Sequence, residues 1–273
     1  MIMRAGVKRE LNGESWEEYY RDYQFKLAED YLIPVLESWG VELEGKRVLE
    51  VGSGNGGCGE AMYEHGAEVT ALEIDGRLAD LSKTYNESRN IRISVYQGDI
   101  CDSSCAVFDR SPFDFALMRD VIEHLHDPCS ALDNIKSILA DSGTCLIVFP
   151  PYYSPFGAHQ QILSAKRFFS IPYNKLPYIQ LLPDLLFGKI AGGPDRQSVE
   201  VRKLRTIRMT ISKFLHCAEK SGFKIREAKL FLSRPTFAVR YGLPVINASI
   251  LGRIPLLREL VVTAAYYLLE NED

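Results

Sequence analysis

The stretch Arg47-Val-Leu-Glu-Val-Gly-Ser-Gly-Asn-Gly-Gly57 runs from an apolar strand straight into a cluster of glycines, and few architectures accept that junction. Val48, Leu49 and Val51 are the aliphatic residues of a strand covered on both faces, as in a parallel sheet. Gly52, Gly54 and Gly56 permit a tight turn at the carboxyl end of that strand, where backbone N–H groups can closely approach a ligand. Gly52, Gly54 and Gly57 also read as G-x-G-x-x-G, with Glu73 about 20 residues further on, so the loop alone leaves a dinucleotide site open.

Three acids narrow the reading. Glu50 lies inside the strand, where a charge is costly unless something pairs with it, and a cationic ligand would do so. Val69-Thr-Ala-Leu-Glu-Ile-Asp75 reads as a second strand ending in Glu73, whose carboxylate can accept both hydroxyls of a ribose and would repel a 2′-phosphate. Ile93-Ser-Val-Tyr-Gln-Gly-Asp-Ile100 is a third strand, ending in Gly98-Asp99, where a carboxylate can accept an adenine amino group.

These residues resemble the class I S-adenosylmethionine-dependent methyltransferases, from about Leu43 to Pro151 and more faintly beyond. Leu49-Glu-Val-Gly-Ser-Gly-Asn-Gly56 is similar to the family's first motif, Glu73 falls on its ribose acid and Asp99 on its adenine-contacting acid. The segment Phe113 to Pro128, with Asp120-Val-Ile-Glu-His124, looks like the family's fourth strand and the turn after it. The resemblance implies S-adenosylmethionine as cofactor and S-adenosylhomocysteine as product. It implies an α/β Rossmann-like fold: a doubly wound, seven-stranded, mostly parallel sheet with an antiparallel last strand and an inserted substrate lid. The cofactor-binding residues expected from it are Glu50, Gly52, Ser53, Gly54, Gly56, Glu73, Ile74, Asp99, Ile100, Met118 and Arg119, the last two meeting the methionine moiety.

A chain of 273 residues with 46% hydrophobic content suits one large α/β domain with insertions, and no linker divides it. Within it, an N-terminal helix is expected at 14–39, with Ser15 and Glu18 at capping-box spacing, and a cofactor core at 43–151. Residues 152–208 and 235–257, rich in proline and aromatics, are expected to form a lid, and 209–234 and 258–273 to return to the core, the last as an antiparallel strand over Leu260 to Leu269. The net charge of -4 gives no global field for nucleic acid, so none is expected as partner. The basic run Arg196 to Lys213, with Glu200 as its lone acid, reads as a solvated helix, with an anion-reading loop as the alternative.

Six cysteines without a C-x-x-C pair read as free thiols of a cytoplasmic protein. His124, His126 and Cys129 lack the spacing of a zinc knuckle, and no metal is expected. No apolar run reaches membrane-spanning length. A monomer and a homodimer both remain open.

A sulfonium methyl is already electrophilic, so the protein has to place the nucleophile and exclude water. A hydroxyl acceptor benefits from a base, and His159, directly after the fifth strand, is the candidate catalytic residue. Tyr19, Tyr20, Tyr152, Tyr153 and Phe156 are candidates for the substrate-lid surface. Phe149-Pro-Pro-Tyr152 departs from the (Asp/Asn)-Pro-Pro-Tyr motif of nucleobase amino-methyltransferases, because a phenylalanine cannot accept an amine hydrogen bond. The expectation is O-directed methylation of a small molecule. The rivals are a nicotinamide-dependent oxidoreductase and a catalytically silent cofactor-binding protein.

Overall fold

The structure, a computed structural model, describes residues 15–163, 167–168 and 171–271. Position 14 of the expected first helix, lid positions 164–166 and 169–170, and residues 272–273 lie outside the described residues. The chain opens with α1 (Trp16–Leu27), passes through a π-helical stretch at Ala28–Leu32 and continues into α2 (Ile33–Ser38). The Ser15 side chain accepts the Glu18 N–H and the Glu18 carboxylate accepts the Ser15 N–H, the reciprocal cap that the spacing predicts.

Strand and helix then alternate: β1 (Arg47–Val51), α3 (Gly57–Glu64), β2 (Glu68–Glu73), α4 (Gly76–Ser88), β3 (Ser94–Gln97), β4 (Phe113–Arg119), α5 (Pro128–Ile138) and β5 (Leu139–Phe149). The segment expected to form a lid follows, with a small ribbon of β6 (Arg167–Phe168) and β7 (Ile171–Pro172), then α6 (Asp184–Ile190) and α7 (Arg196–Ile207). The core resumes with α8 (Ile211–Lys220) and β8 (Phe223–Ser233). After α9 (Pro235–Tyr241), β9 (Ile246–Asn247) and α10 (Pro255–Val261), β10 (Ala264–Asn271) completes the sheet.

The main sheet has eight strands in the order β3-β2-β1-β4-β5-β10-β8-β9. β1 to β5 are parallel, and β10 runs antiparallel to both of its neighbours, β5 and β8. The expected seven-stranded frame is present, and the two-residue edge strand β9 is added beside β8. The C-terminal run is divided: Pro255–Val261 is helical because Pro255 suits a first helical turn, and the strand starts at Ala264.

Side chains leave the sheet alternately to two cores. Cys145, Ile147 and Phe149 of β5 join Ile135 and Phe214 on one face, while Leu146 and Val148 meet Leu32, Leu36 and Met62 on the other. Phe113 and Phe115, two apart on β4, face opposite cores because the register shifts between them. Each such side chain, taken fully out of water, contributes about 1.5–3 kcal/mol. The lid has its own apolar core of Ile162, Leu163, Ile179, Phe187, Ile190 and Val201.

Two cysteines depart from the expectation of free thiols. Cys129 on α5 and Cys217 on α8 form a disulfide, while Cys58, Cys101, Cys105 and Cys145 are free. The pair was hidden in the sequence because 88 residues separate its members, and only the packing of α5 on α8 brings them together.

Candidate functional site

The carboxyl ends of β1, β2 and β3 carry the expected acids to one edge of the sheet. Gly52, Gly54 and Gly56 adopt left-handed φ values of 71°, 56° and 82°, so the turn after β1 needs residues without a Cβ. Gly57 serves another purpose: a Cβ there would stand 2.2 Å from the Arg21 carbonyl oxygen and 2.8 Å from the Gln24 Cβ. This last glycine therefore admits α1 rather than a ligand.

Glu73 is buried at the end of β2, and its two oxygens accept the Gly54 N–H at 2.7 Å and the Asp75 N–H at 2.9 Å. A carboxylate so engaged keeps further lone pairs for hydroxyl donors. Ile74 beside it is 64% exposed, an apolar surface at the mouth of the site. Asp99 is half-buried and accepts the Cys101 N–H at 2.9 Å, and the neighbouring Ile100 is buried. Glu50 is 4% exposed, its Oε2 has no hydrogen-bond partner among the described residues, and burial pushes its carboxyl up to about 7 against the opposing pull of Arg119. The Ser53 hydroxyl is likewise buried without a partner. Orphaned acceptors at a loop of left-handed glycines fit a ligand carrying an ammonium group.

Arg119 at the end of β4 is buried and pairs with Asp120 at 2.7 Å, and Met118 before it is fully enclosed. Over them lies α1. Tyr19 and Tyr20 are half-buried, and the Tyr20 hydroxyl is raised by burial, with Arg119 nearby pulling it the other way. Arg21 of the same helix is missing from the expected site, yet it holds the loop: it bonds Glu60 at 2.7 Å, the Asn55 carbonyl at 2.6 Å and Asn86 at 3.0 Å, and its guanidinium stacks on Tyr85.

A second polar group lies where the β4 and β5 ends meet the lid. Glu123, 3% exposed, has no hydrogen-bond partner among the described residues on either carboxylate oxygen; its Oε1 is 3.8 Å from His124 Nε2 and 3.7 Å from His159 Nε2. His124 Nδ1 meets Glu200 Oε1 of α7 at 2.6 Å, and the two imidazole rings are 5.1 Å apart. Burial raises Glu123 to about 7, and it lowers His159 to about 3, with the His124 charge adding to the drop. Burial would also lower His124, but the Glu200 hydrogen bond and the Glu123 charge outweigh it and lift this histidine. His159 itself sits at a left-handed φ of 53°.

His159 therefore does lie at the sheet edge, but as one member of a group. Glu123 and Glu200 were not foreseen, although Glu200 had a signal as the one acid in a basic run. Three basic members of that run bond to residues 152–208: Arg205 to Asp184 at 2.9 Å, Arg202 to the Ala191 and Gly193 carbonyls, and Lys213 to the Ile207 carbonyl, while Arg196 reaches Asp75 at 3.7 Å. His124, His126 and Cys129 do not form one set, since Cys129 is in the disulfide. Tyr152 packs inside the lid with Ala158 and Leu204, whereas Tyr153 and Phe156 are half-buried.

A family model described as a methyltransferase domain matches residues 20–183. The ubiquinone biosynthesis O-methyltransferase of Coxiella burnetii is 31% identical over 103 residues, which are 38% of this chain and 43% of that protein. The chain thus spans less than half the length of the curated relatives it matches. Among solved structures, an S-adenosylmethionine-dependent methyltransferase from Mesorhizobium loti superposes with a TM-score of 0.54 at 15% identity, over 87% of this chain and 96% of that one. Magnesium protoporphyrin IX methyltransferase from Synechocystis, with S-adenosylhomocysteine bound, gives 0.54 at 12% identity, over 98% and 90%. These two likenesses speak to the fold. Since the family match extends over more than half of its length, the chain belongs to the methyltransferase-domain family, and its fold is that of the class I S-adenosylmethionine-dependent methyltransferases.

Proposed function

We propose that this chain methylates the hydroxyl of a small molecule held beneath residues 152–208. The observation that carries the proposal is the His124–Glu200 contact of 2.6 Å at the lid face of the sheet edge. Glu200 fixes Nδ1 of His124, which directs Nε2 towards Glu123 and His159. A hydroxyl is a poor nucleophile until its proton is taken, so it profits from a buried acid–base group at the point of transfer. The O-methyltransferase relatives point the same way.

When bound, S-adenosylmethionine supplies a sulfonium methyl that moves to the acceptor oxygen, leaving a thioether. Glu73 would hold the ribose hydroxyls, Asp99 the adenine amino group, and the orphaned Glu50 and Ser53 the end bearing the ammonium. Arg119 and Asp120, held together under α1, would close the floor of the site against water. Tyr19 and Tyr20 above, with Tyr153 and Phe156 from the lid, would supply the apolar walls. The group of Glu123, His124 and His159 would stand where the acceptor hydroxyl gives up its proton. A cytoplasmic place of action belongs to the same proposal, although the Cys129–Cys217 bond would be unusual there.

Methyl-labelled S-adenosylmethionine, offered with a panel of phenols, aliphatic alcohols and amines, tests the proposal. Label should appear in hydroxyl acceptors. Label confined to amines would overturn the O-directed reading, and cofactor binding with no transfer to any acceptor would favour the catalytically silent alternative.

A further inference from the structure

We propose that Glu123, His124 and His159 form a binding site for one divalent first-row transition-metal ion, with Glu200 orienting His124 from behind. Each of the three side chains offers a ligand atom, and these atoms all lie within 4.8 Å of one another. The two measured edges of the triangle, 3.8 Å from Glu123 Oε1 to His124 Nε2 and 3.7 Å to His159 Nε2, are close to what an ion requires. Metal–ligand bonds of about 2.0–2.1 Å in a tetrahedral shell place ligand atoms roughly 3.3 Å apart, so these two edges need to close by a few tenths of an ångström and the imidazole–imidazole edge by at most about 1.5 Å.

A second, independent observation points to a ligand here. Glu123 is 3% exposed, and both of its carboxylate oxygens lack a hydrogen-bond partner among the described residues. A buried carboxylate without donors is a costly arrangement, and a cation at its centre would remove that cost. The outer contact fits as well. His124 Nδ1 bonds Glu200 Oε1 at 2.6 Å, which leaves Nε2 with its lone pair free for a metal, the carboxylate–histidine–metal relay that sets tautomer and ring orientation. His159 stands at a left-handed φ of 53°, a backbone conformation unusual for histidine, and this brings its ring to 5.1 Å from that of His124.

Two imidazoles and one carboxylate select a transition ion over magnesium or calcium, which prefer oxygen. Three protein ligands also leave at least one position open. An acceptor hydroxyl oxygen could take that position, where the ion would lower its pKa. This last role rests on the methyl-transfer reading above; the binding of the ion does not.

Co2+ titrated into tag-free, chelator-treated protein, followed by visible absorbance and calorimetry, tests the inference. One equivalent should bind, with weak ligand-field bands and no thiolate charge-transfer band. Glu123→Gln and His159→Ala should each abolish the stoichiometric uptake, and Glu200→Gln should weaken it about 10- to 100-fold. Unchanged circular dichroism and unchanged S-adenosylhomocysteine affinity establish that each variant is folded. If one variant is unfolded, the other carries the test. Absent uptake, or uptake unaltered in a folded variant, would overturn the inference. So would a thiolate band lost in Cys101→Ser, because Asp99, Cys101 and His126 form another group close enough to hold an ion. Co2+ binding by a protein that does not bind S-adenosylhomocysteine would sink the methyl-transfer reading and leave the metal site standing.

Discussion

Arg21 and Glu60 meet at 2.7 Å with both side chains buried, joining the first helix of the chain to the helix that follows the glycine loop. The same guanidinium reaches the loop's Asn55 carbonyl and α4's Asn86, so α1 is anchored to the cofactor edge through one side chain. Arg21→Met would leave Glu60 buried and unpaired, and should cost about 3–5 kcal/mol. Denaturant unfolding measures it. A loss below about 1 kcal/mol would show that α1 is held by its apolar face alone.

Glu73 contributes to the loop as well as to the ligand. Glu73→Ala removes the acceptor of the Gly54 and Asp75 N–H groups, so both donor affinity and stability should fall, each by about 1–3 kcal/mol. Calorimetry with S-adenosylhomocysteine and thermal melting read the two losses. An unaltered affinity would defeat the ribose assignment.

Glu50 gives a pH signature. Its carboxyl stands at about 7 in the fold against an ordinary 4.5, chiefly because it is buried, with Arg119, the Gly59 N–H and Arg21 pulling it down and Glu73 pushing it up. Between those two values the folded protein holds a proton that the unfolded chain has lost, so this group's contribution to stability declines as pH rises across the window. The decline is on the order of 3 kcal/mol for the full shift. Glu50→Gln should flatten the slope, raise stability above neutrality and weaken cofactor binding. A slope identical in the variant and the wild type would assign the pH dependence elsewhere.

His159→Ala should lower the rate of methyl transfer by about 100-fold or more while cofactor affinity stays near normal. Single-turnover kinetics with labelled donor separate the two. Wild-type turnover would reduce His159 to a loop residue.

The Cys129–Cys217 bond ties α5 to α8 on the face of the sheet that they cover. Reduction, or replacement of both cysteines by serine, should lower stability by about 2–4 kcal/mol without changing cofactor affinity. Melting with and without reductant is the measurement. A change in cofactor affinity would mean that the clamp is coupled to the cofactor edge.

The cofactor edge was legible in the sequence because each of its parts is local. A strand, its glycines and the acid at its end are contiguous in the chain, and three such units recur at Glu50, Glu73 and Asp99. The metal-ligand group was not legible. Glu123 and His124 come from the turn after β4, His159 from the loop after β5 and Glu200 from α7, and only the folded lid brings α7 over the turn. The glycines were read in part for the wrong neighbour, since spacing cannot distinguish a glycine that admits a ligand from one, such as Gly57, that admits a helix. The last strand was read over too long a run because α10 and β10 share an apolar composition that does not mark the boundary at Val262.

β10 lies between β5 and β8, although β8 precedes it in the chain. On the ribosome, β8 therefore emerges before the strand that connects it to the rest of the sheet. Until β10 has left the exit tunnel, the edge of β5 stays unpaired, and β8 and β9 have no strand to join them to the sheet, although α8 can already pack on α5. Vectorial synthesis thus delays closure of this half of the sheet, and a nascent chain stalled before Ala264 would expose that edge to whatever strand arrives first.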